Sequence, residues 1–435
     1  MSKLYIDIFY LLFQKLEGDQ RTLYSCLSVN KTVCKIIMPI LWKNPWKFLK
    51  KKKEKLLLDV IISHSSDESR NKLSQVIDFL TNSYQRPLFN YISFCRHLNL
   101  NRIIRIINTH ISIEYNDLIR NEIINLFINE NTKFTHLYIS DLFDCQIHLI
   151  PGAKHCFSKI KFLSCSTRMH NNMLIGLTEI IKTIKELELF IHRHFYVDLI
   201  SKLIETPKEL SKVHFRVKHH SIINYEESSW NTLENLLIKH ANTIEYFSIN
   251  KQPAANILSY FVNLKILELS DVSLLASLIE NSGTYLNEIK IIDDKVQNDS
   301  NKRNIQAIYQ NCPKLKYLKM EFLNYNMLEL ENLLINCQYL NGLFIRIREK
   351  EFDWNKLFEI LTKLSPTNLY KFKFKYYSHA GPKLEYLKLF FDNWKDRHPM
   401  LLQIKIPKDY SDLIEKYKAK GIIKKYDDGF SIEDF

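Results

Sequence analysis

From residue 134 to residue 406 the chain returns to one loose unit about every 26 residues: apolar-x-x-apolar-x-apolar, then a helical stretch. The clearest copy is Leu264-Lys265-Ile266-Leu267-Glu268-Leu269. Others begin at Ile184, Leu210, Ile244, Leu286, Leu315, Leu340 and Leu369, with weaker outer copies at Phe134, Ile160 and Leu401. Successive starts lie 26, 24, 26, 34, 20, 22, 29, 25, 29 and 32 residues apart. With 46% of residues apolar, three set positions match by chance roughly one time in ten, so the recurrence carries the reading and no single copy does. Most gaps hold an amphipathic stretch, among them Leu174 to Ile184, Tyr196 to Ile204, Trp230 to His240, Leu328 to Asn336 and Trp354 to Leu364. Leu233, Leu236, Leu237 and His240 recur at helical spacing, so such a helix can cover one side of a strand layer. The prediction is an α/β stack of repeats: a parallel strand layer with outer helices, and Leu187, Leu189, Leu267, Leu269, Leu318 and Leu343 buried. An ordinary α/β domain would have longer apolar strands and glycine-rich turns, and eight glycines in 435 residues count against it.

Before the repeats the pattern is helical. Leu4 to Glu17 carries Ile8, Leu12 and Leu16 at helical spacing, Gly18-Asp19 breaks it, and Asp19 can cap a second helix that follows. Pro39 is expected to separate that helix from a short segment at Trp42. Residues 54–127 read as mostly helix with an extended break at Arg86-Pro87-Leu88-Phe89, a neck rather than a flexible tether, since Gly/Ser/Pro-rich composition is absent. The expected boundaries are a helical domain at 1–46, the neck at 47–130, repeats at 131–410 and a C-terminal cap with an acidic tail at 411–435, with a short strand at Ile422-Ile423.

The repeats resemble leucine-rich repeats of the irregular kind with one strand and one helix per unit. They depart from that family three residues after the third apolar position. Asn or Cys is usual there, and this chain has Arg168, His192, Lys218, Val272, Leu323, Arg348 and Tyr377. The convex turns must then be satisfied by helix ends or water. The N-terminal segment resembles an F-box: Leu4, Asp7, Ile8, Leu12, Phe13 and Leu16 match its opening, and Leu23, Val29, Lys31, Pro39, Leu41 and Trp42 its later part. Tyr5, Asn30 and Val33 stand where the family usually has Pro, Cys and Trp. The combined fold class is a short helical F-box bundle followed by an irregular leucine-rich-repeat solenoid. The resemblance implies docking to the Skp-type adaptor of a cullin–RING ubiquitin ligase, through Leu4, Tyr5, Ile8, Leu12, Phe13, Leu16, Leu23, Val29, Leu41 and Trp42. The plain alternative is a helical cap over the open end of the stack.

Chemistry for catalysis is not legible in the chain. Phosphate-binding glycine loops, G-x-S-x-G and H-E-x-x-H are missing, and carboxylates are scattered. His192-Arg193-His194 and His219-His220 lack nearby cysteines and read as surface histidines, not zinc ligands. No enzyme activity, metal or cofactor is expected. Eight cysteines without C-x-x-C spacing read as reduced side chains of a cytoplasmic or nuclear protein. The net charge of +13 accompanies abundant Lys, Ile, Asn, Tyr and Phe, so it is a weak argument for nucleic acid.

A binding surface remains. Residues that alternate with the buried ones point to the other face of each strand. In the middle these include Glu186, Glu188, Tyr246, Glu268 and Glu288; later come Tyr317, Lys319, Phe344, Arg346, Arg348, Lys371, Lys373, Lys375, Tyr377 and Lys405. The sign changes from acidic to basic. The basic end is the candidate target-binding surface, suited to an acidic or phosphorylated protein segment. Three functions follow: a substrate-recognition subunit of a Skp–cullin–F-box ligase, a non-ligase interaction scaffold, and a basic nucleic-acid-binding repeat protein.

Overall fold

The computed structural model describes residues 3–74, 86–111, 115–139, 141, 143, 145–192, 197–217, 227–251, 257–270, 275–291, 298–376 and 381–428. The chain divides into two compact units, residues 1–210 with 218–226, and residues 211–217 with 227–435.

The first unit opens with three helices, α1 (Lys3–Lys15), α2 (Gln20–Cys26) and α3 (Lys31–Trp42). Asp19 caps α2, accepting from Thr22 N at 3.1 Å, and Asn30 caps α3, accepting from Val33 N at 2.9 Å. Leu23, Val33, Ile37 and Ile40 form a small core, with Phe13, Leu16, Cys26, Leu27 and Leu41 against it. Pro39 does not separate anything: it lies inside α3. The lost hydrogen bond is tolerated because Val33, Ile36, Ile37 and Ile40 bury the helix on both sides of the proline. Then follow α4 (Glu54–Ile62), α5 (Asp67–Ser74), α6 (Tyr91–Phe94), β1 (His97–Asn99), α7 (Leu100–His110), α8 (Asn116–Phe127), β2 (His136–Tyr138), α9 (Ala153–Phe157), β3 (Phe162–Ser166), α10 (Asn171–Ile180), β4 (Glu186–Ile191) and α11 (Val197–Glu205). Strands β1 to β4 pair in chain order, all parallel.

The strand layer therefore starts inside the predicted neck. Cys95-Arg96-His97-Leu98-Asn99-Leu100 has the repeat spacing, and Cys95, Leu98 and Leu100 are buried. A cysteine in first place and a strand of only three residues hid it. The bundle is fastened to this first strand. Trp46 Nε1 donates to His97 O at 2.7 Å, and the ring packs 6.1 Å from Phe127. Arg96 N donates to Lys43 O at 2.9 Å. Trp42 stacks on Tyr91 with centroids 4.7 Å apart. Buried Glu54 is held by Arg105 and by Arg102 at 3.9 Å.

The second unit comprises β5 (Lys212–Val217), α12 (Glu227–Ile238), β6 (Tyr246–Ile249), α13 (Ile257–Tyr260), β7 (Ile266–Leu269), α14 (Leu275–Ser282), β8 (Glu288–Ile291), α15 (Asn298–Asn311), β9 (Tyr317–Glu321), α16 (Met327–Asn336), β10 (Gly342–Ile347), α17 (Trp354–Leu364), β11 (Lys371–Tyr376), α18 (Leu384–Asp392), β12 (Met400–Ile404), α19 (Ser411–Ala419) and β13 (Ile423–Asp427). Again every strand pairs with its sequence neighbour in parallel. Leu187, Leu189, Leu267, Leu269, Leu318 and Leu343 are all buried, as the spacing predicts. Both units are α/β stacks in which a parallel strand layer alternates with outer helices, the architecture the repeats predict.

Two details differ from the sequence reading. Leu402 pairs with Phe372, so the last apolar copy is framed from residue 399, not Leu401. The run Met400-Leu401-Leu402-Gln403-Ile404-Lys405-Ile406 fits both frames, and pairing chooses the one that buries Leu402 and Ile404. The strand layer also continues to β13, within the segment expected to be a cap.

Turns lacking the family's Asn or Cys are satisfied by other side chains, not only by helix ends. Thr167 Oγ1 accepts from His192 N at 3.0 Å. Asn250 bonds the backbone of Val217 twice, at 2.6 and 2.9 Å. Buried Asn301 donates to Glu321 O at 3.2 Å and to Asn326 Oδ1 at 3.1 Å. Their positions do not recur at one fixed offset, which is why the pattern conceals them.

Candidate functional site

In the helical bundle, burial sorts the ten expected docking residues into two groups. Ile8 is 46% exposed, Leu12 55% and Val29 65%. Leu11, at 60%, joins Ile8 and Leu12 on one face of α1 by i, i+3, i+4 spacing. Tyr24 on α2 is exposed as well. Leu11 and Tyr24 were missed by motif matching, though the helical spacing alone places Leu11 beside Ile8. Leu23 lies in the bundle core, as do the partly buried Phe13, Leu16 and Leu41 packed around it. Trp42 is used internally, against Tyr91. The side chains of Leu4 and Tyr5 lie outside the described residues. What is left is an apolar face on α1, on a bundle whose own core is already filled. Faces of this kind suit partner helices.

On the first unit's strands, the His97 and His136 rings stack 3.7 Å apart at 16°, with Phe162 5.5 Å from His136. Burial, with His136 and then Lys43 and Lys47 adding repulsion, pushes the His97 pKa down to about 3. Burial lowers that of His136 too. Both pKa values lie below the ordinary 6.5. The unfolded chain therefore takes up protons first, and the stability of this unit falls as pH drops from 6.5 towards 3. At pH 5 the expected loss from His97 is about 1–2 kcal/mol. Denaturant midpoints at pH 7 and pH 5 check this: His97→Gln should flatten the difference, and an unchanged slope would contradict it.

His192 is not a surface histidine. It is buried, with Nε2 2.8 Å from an Asp141 carboxylate oxygen. Arg193, His194, His219 and His220 lie outside the described residues. Among the described residues no group of three or more His, Cys, Asp or Glu is placed to hold a metal ion, and no helix is long and apolar enough to cross a membrane.

In the expected acidic middle, Glu268 and Glu288 have cationic partners. Glu268 accepts from Tyr246 Oη at 2.7 Å, Ser248 Oγ at 3.0 Å and Arg216 at 3.3 Å. Burial pushes its pKa up, but these donors outweigh it and hold the carboxyl below its ordinary value. Its ionised form thus stabilises the fold above that value, and the contribution is lost in acid. Glu288 pairs with Lys290 at 3.3 Å. In the first unit Glu188 accepts from Ser164 Oγ at 2.7 Å. Lys290 sits on β8 with Glu288, and Arg216 on β5, two strands from Glu268; the sequence reading named neither cation.

The basic end keeps its character. Register places Lys319, Phe344 and Lys373 side by side on β9, β10 and β11, and Arg346 beside Lys375. Phe344 is not an exposed contact residue. It is 3% exposed, roofed by Lys319 Nζ at 4.8 Å and Lys373 Nζ at 4.9 Å from its ring centre. Arg348 is tied to Glu321 at 3.0 Å. The Tyr317 ring fills the space above Gly342, where an added Cβ would meet it at 2.6 Å. Lys371 lies beside Gly342 on β11. Tyr377 lies outside the described residues.

No protein-family model and no curated protein matches this chain. Similar solved structures include the leucine-rich repeat-containing protein LegL7 from Legionella pneumophila, at 14% identity over 58% of this chain and 85% of that one, with a TM-score of 0.39. A second is the complex of Rad7 and Elc1 in yeast, at 13% identity over 76% of this chain and 90% of that one, with a TM-score of 0.32.

Proposed function

We propose that this chain is the substrate-recognition subunit of a Skp–cullin–F-box ubiquitin ligase. The helical bundle docks to the Skp-type adaptor, and the outward strand faces bind a protein target. Ubiquitin transfer then belongs to partner enzymes, and the chain's own work is binding. The observation that carries the reading is the apolar face of Ile8, Leu11 and Leu12, open on a bundle that needs none of the three for its core. A helix placed only to cap a stack would turn that face inwards. The target side rests on Tyr317, Lys319, Arg346, Lys371, Lys373 and Lys375 on three neighbouring strands.

One observation favours a second reading, a scaffold without a ligase. Trp46 and the Lys43 carbonyl fasten the bundle to the first strand, as a cap would be fastened. Co-expression separates the two. The full chain should co-purify with a Skp-type adaptor through size exclusion. If it elutes alone, the scaffold reading replaces the ligase one.

A further inference from the structure

We propose that the run Lys50-Lys51-Lys52-Lys53, in the connection between α3 and α4, is a recognition site for a concave acidic groove on a partner protein, as a nuclear import receptor has. It uses no residue of the α1 docking face or of the strand faces, so it stands or falls apart from both.

Three features support it. The first is unbalanced charge. All four lysines are exposed, and among the described residues none of the four pairs with a carboxylate. Elsewhere in the unit Lys43 pairs with Glu17 at 2.9 Å and Lys185 with Glu209 at 2.8 Å. The acid next in sequence, Glu54, is buried and held by Arg105 and Arg102. Four adjacent like charges repel, and solvent and salt relieve only part of that. An acidic partner relieves the rest.

The second is presentation. The connection is pinned on both sides of the run, by Trp46 on the His97 carbonyl and by Glu54 on its two arginines. Pinned ends reduce the freedom lost when a partner binds. Between them the backbone makes only short-range bonds, such as Leu49 N to Trp46 O at 3.4 Å and Lys53 N to Lys50 O at 2.8 Å, and no side chain caps the turn.

The third is direction, and it selects the partner. Lys51–Lys53 form a single 3-10 turn. Three residues per turn set successive side chains about 120° apart. A flat anionic surface can meet one or two such lysines, whereas a groove with walls on several sides can meet them all. That disfavours a membrane surface and the side of a duplex. The composition agrees, since the run has no arginine to grip phosphate with paired hydrogen bonds. Single-stranded nucleic acid needs an open ring for stacking, and the adjacent Phe48 ring has Lys47 Nζ 4.8 Å from its centre.

Biolayer interferometry with the immobilised full chain tests the proposal. The probes are purified importin-α without its autoinhibitory segment, phosphatidylserine vesicles and a random-sequence duplex, all at physiological salt. Importin-α should bind saturably and more tightly than the other two. Lys51→Gln with Lys52→Gln should weaken it about tenfold or more. Lys182→Gln with Lys208→Gln removes the same charge from exposed positions of the same unit and should change binding less than about twofold. Neither pair should lower the melting temperature, because all four side chains are exposed. Absence of saturable importin-α binding, equal losses from the two pairs, or tighter binding of vesicles or duplex overturns the proposal.

Discussion

Changing Ile8 and Leu12 together to aspartate should abolish capture of a Skp-type adaptor while leaving the protein folded. Both side chains are about half exposed on α1, and neither contributes to the core of Leu23, Val33, Ile37 and Ile40. Aspartate in their place is solvated in the free protein and so costs the fold little. In a complex the same charges are forced into an apolar interface, with an expected penalty of ~3 kcal/mol or more, at least about a hundredfold in affinity. Pull-down with purified adaptor reads the effect, and circular dichroism confirms the fold. Leu23→Asp is the instructive contrast. It removes a core residue, so it should disrupt the bundle itself, and lost binding there says nothing about docking. Undiminished capture by the Ile8/Leu12 variant would mean that the face is not the docking surface.

The largest stability effect is expected at Trp46. Its indole is 3% exposed, packs near Phe127 and donates to the carbonyl of His97 in the first strand. Trp46→Ala empties a large volume and orphans that carbonyl, for a loss of about 4 kcal/mol. Trp46→Phe keeps most of the packing and loses only the hydrogen bond, for about 1 kcal/mol. Urea denaturation measures both, and the first unit should unfold at lower denaturant in that order. Equal, small losses would show that the bundle is not fastened to the strands through this residue.

The repeat stack was legible because burial acts on the same three positions in every copy. A parallel strand covered by helices needs apolar-x-x-apolar-x-apolar whatever the rest of the sequence does. Legibility ended where that rule was satisfied by an unexpected residue or by two frames at once. Cys95 in place of an aliphatic residue hid β1, and the apolar run around Leu401 allowed a frame two residues late. The N-terminal motif located the bundle but could not sort core from surface. Helix α1 is apolar nearly all round, so only packing shows that Phe13 and Leu16 turn inwards while Ile8, Leu11 and Leu12 do not.

The strand faces were half legible for a different reason. Alternation correctly puts Phe344 and Glu268 on the outward side, but not what neighbouring strands lay over them. Lysines from both sides close over Phe344, and Arg216, two strands away, neutralises Glu268. Charge read along one strand misses partners supplied by the next. That is why Glu268 and Glu288, read from the alternation as open acidic positions, have cationic partners in the fold.

Isothermal titration of the full chain with a purified Skp-type adaptor, repeated at several temperatures, tests the central claim most directly. Docking through the face of Ile8, Leu11 and Leu12 buries apolar surface. The account therefore predicts saturable one-to-one binding whose enthalpy becomes more negative as temperature rises, a negative heat-capacity change. Titrations that show no saturable binding, or binding that the Ile8/Leu12 aspartate variant retains in full, would contradict it.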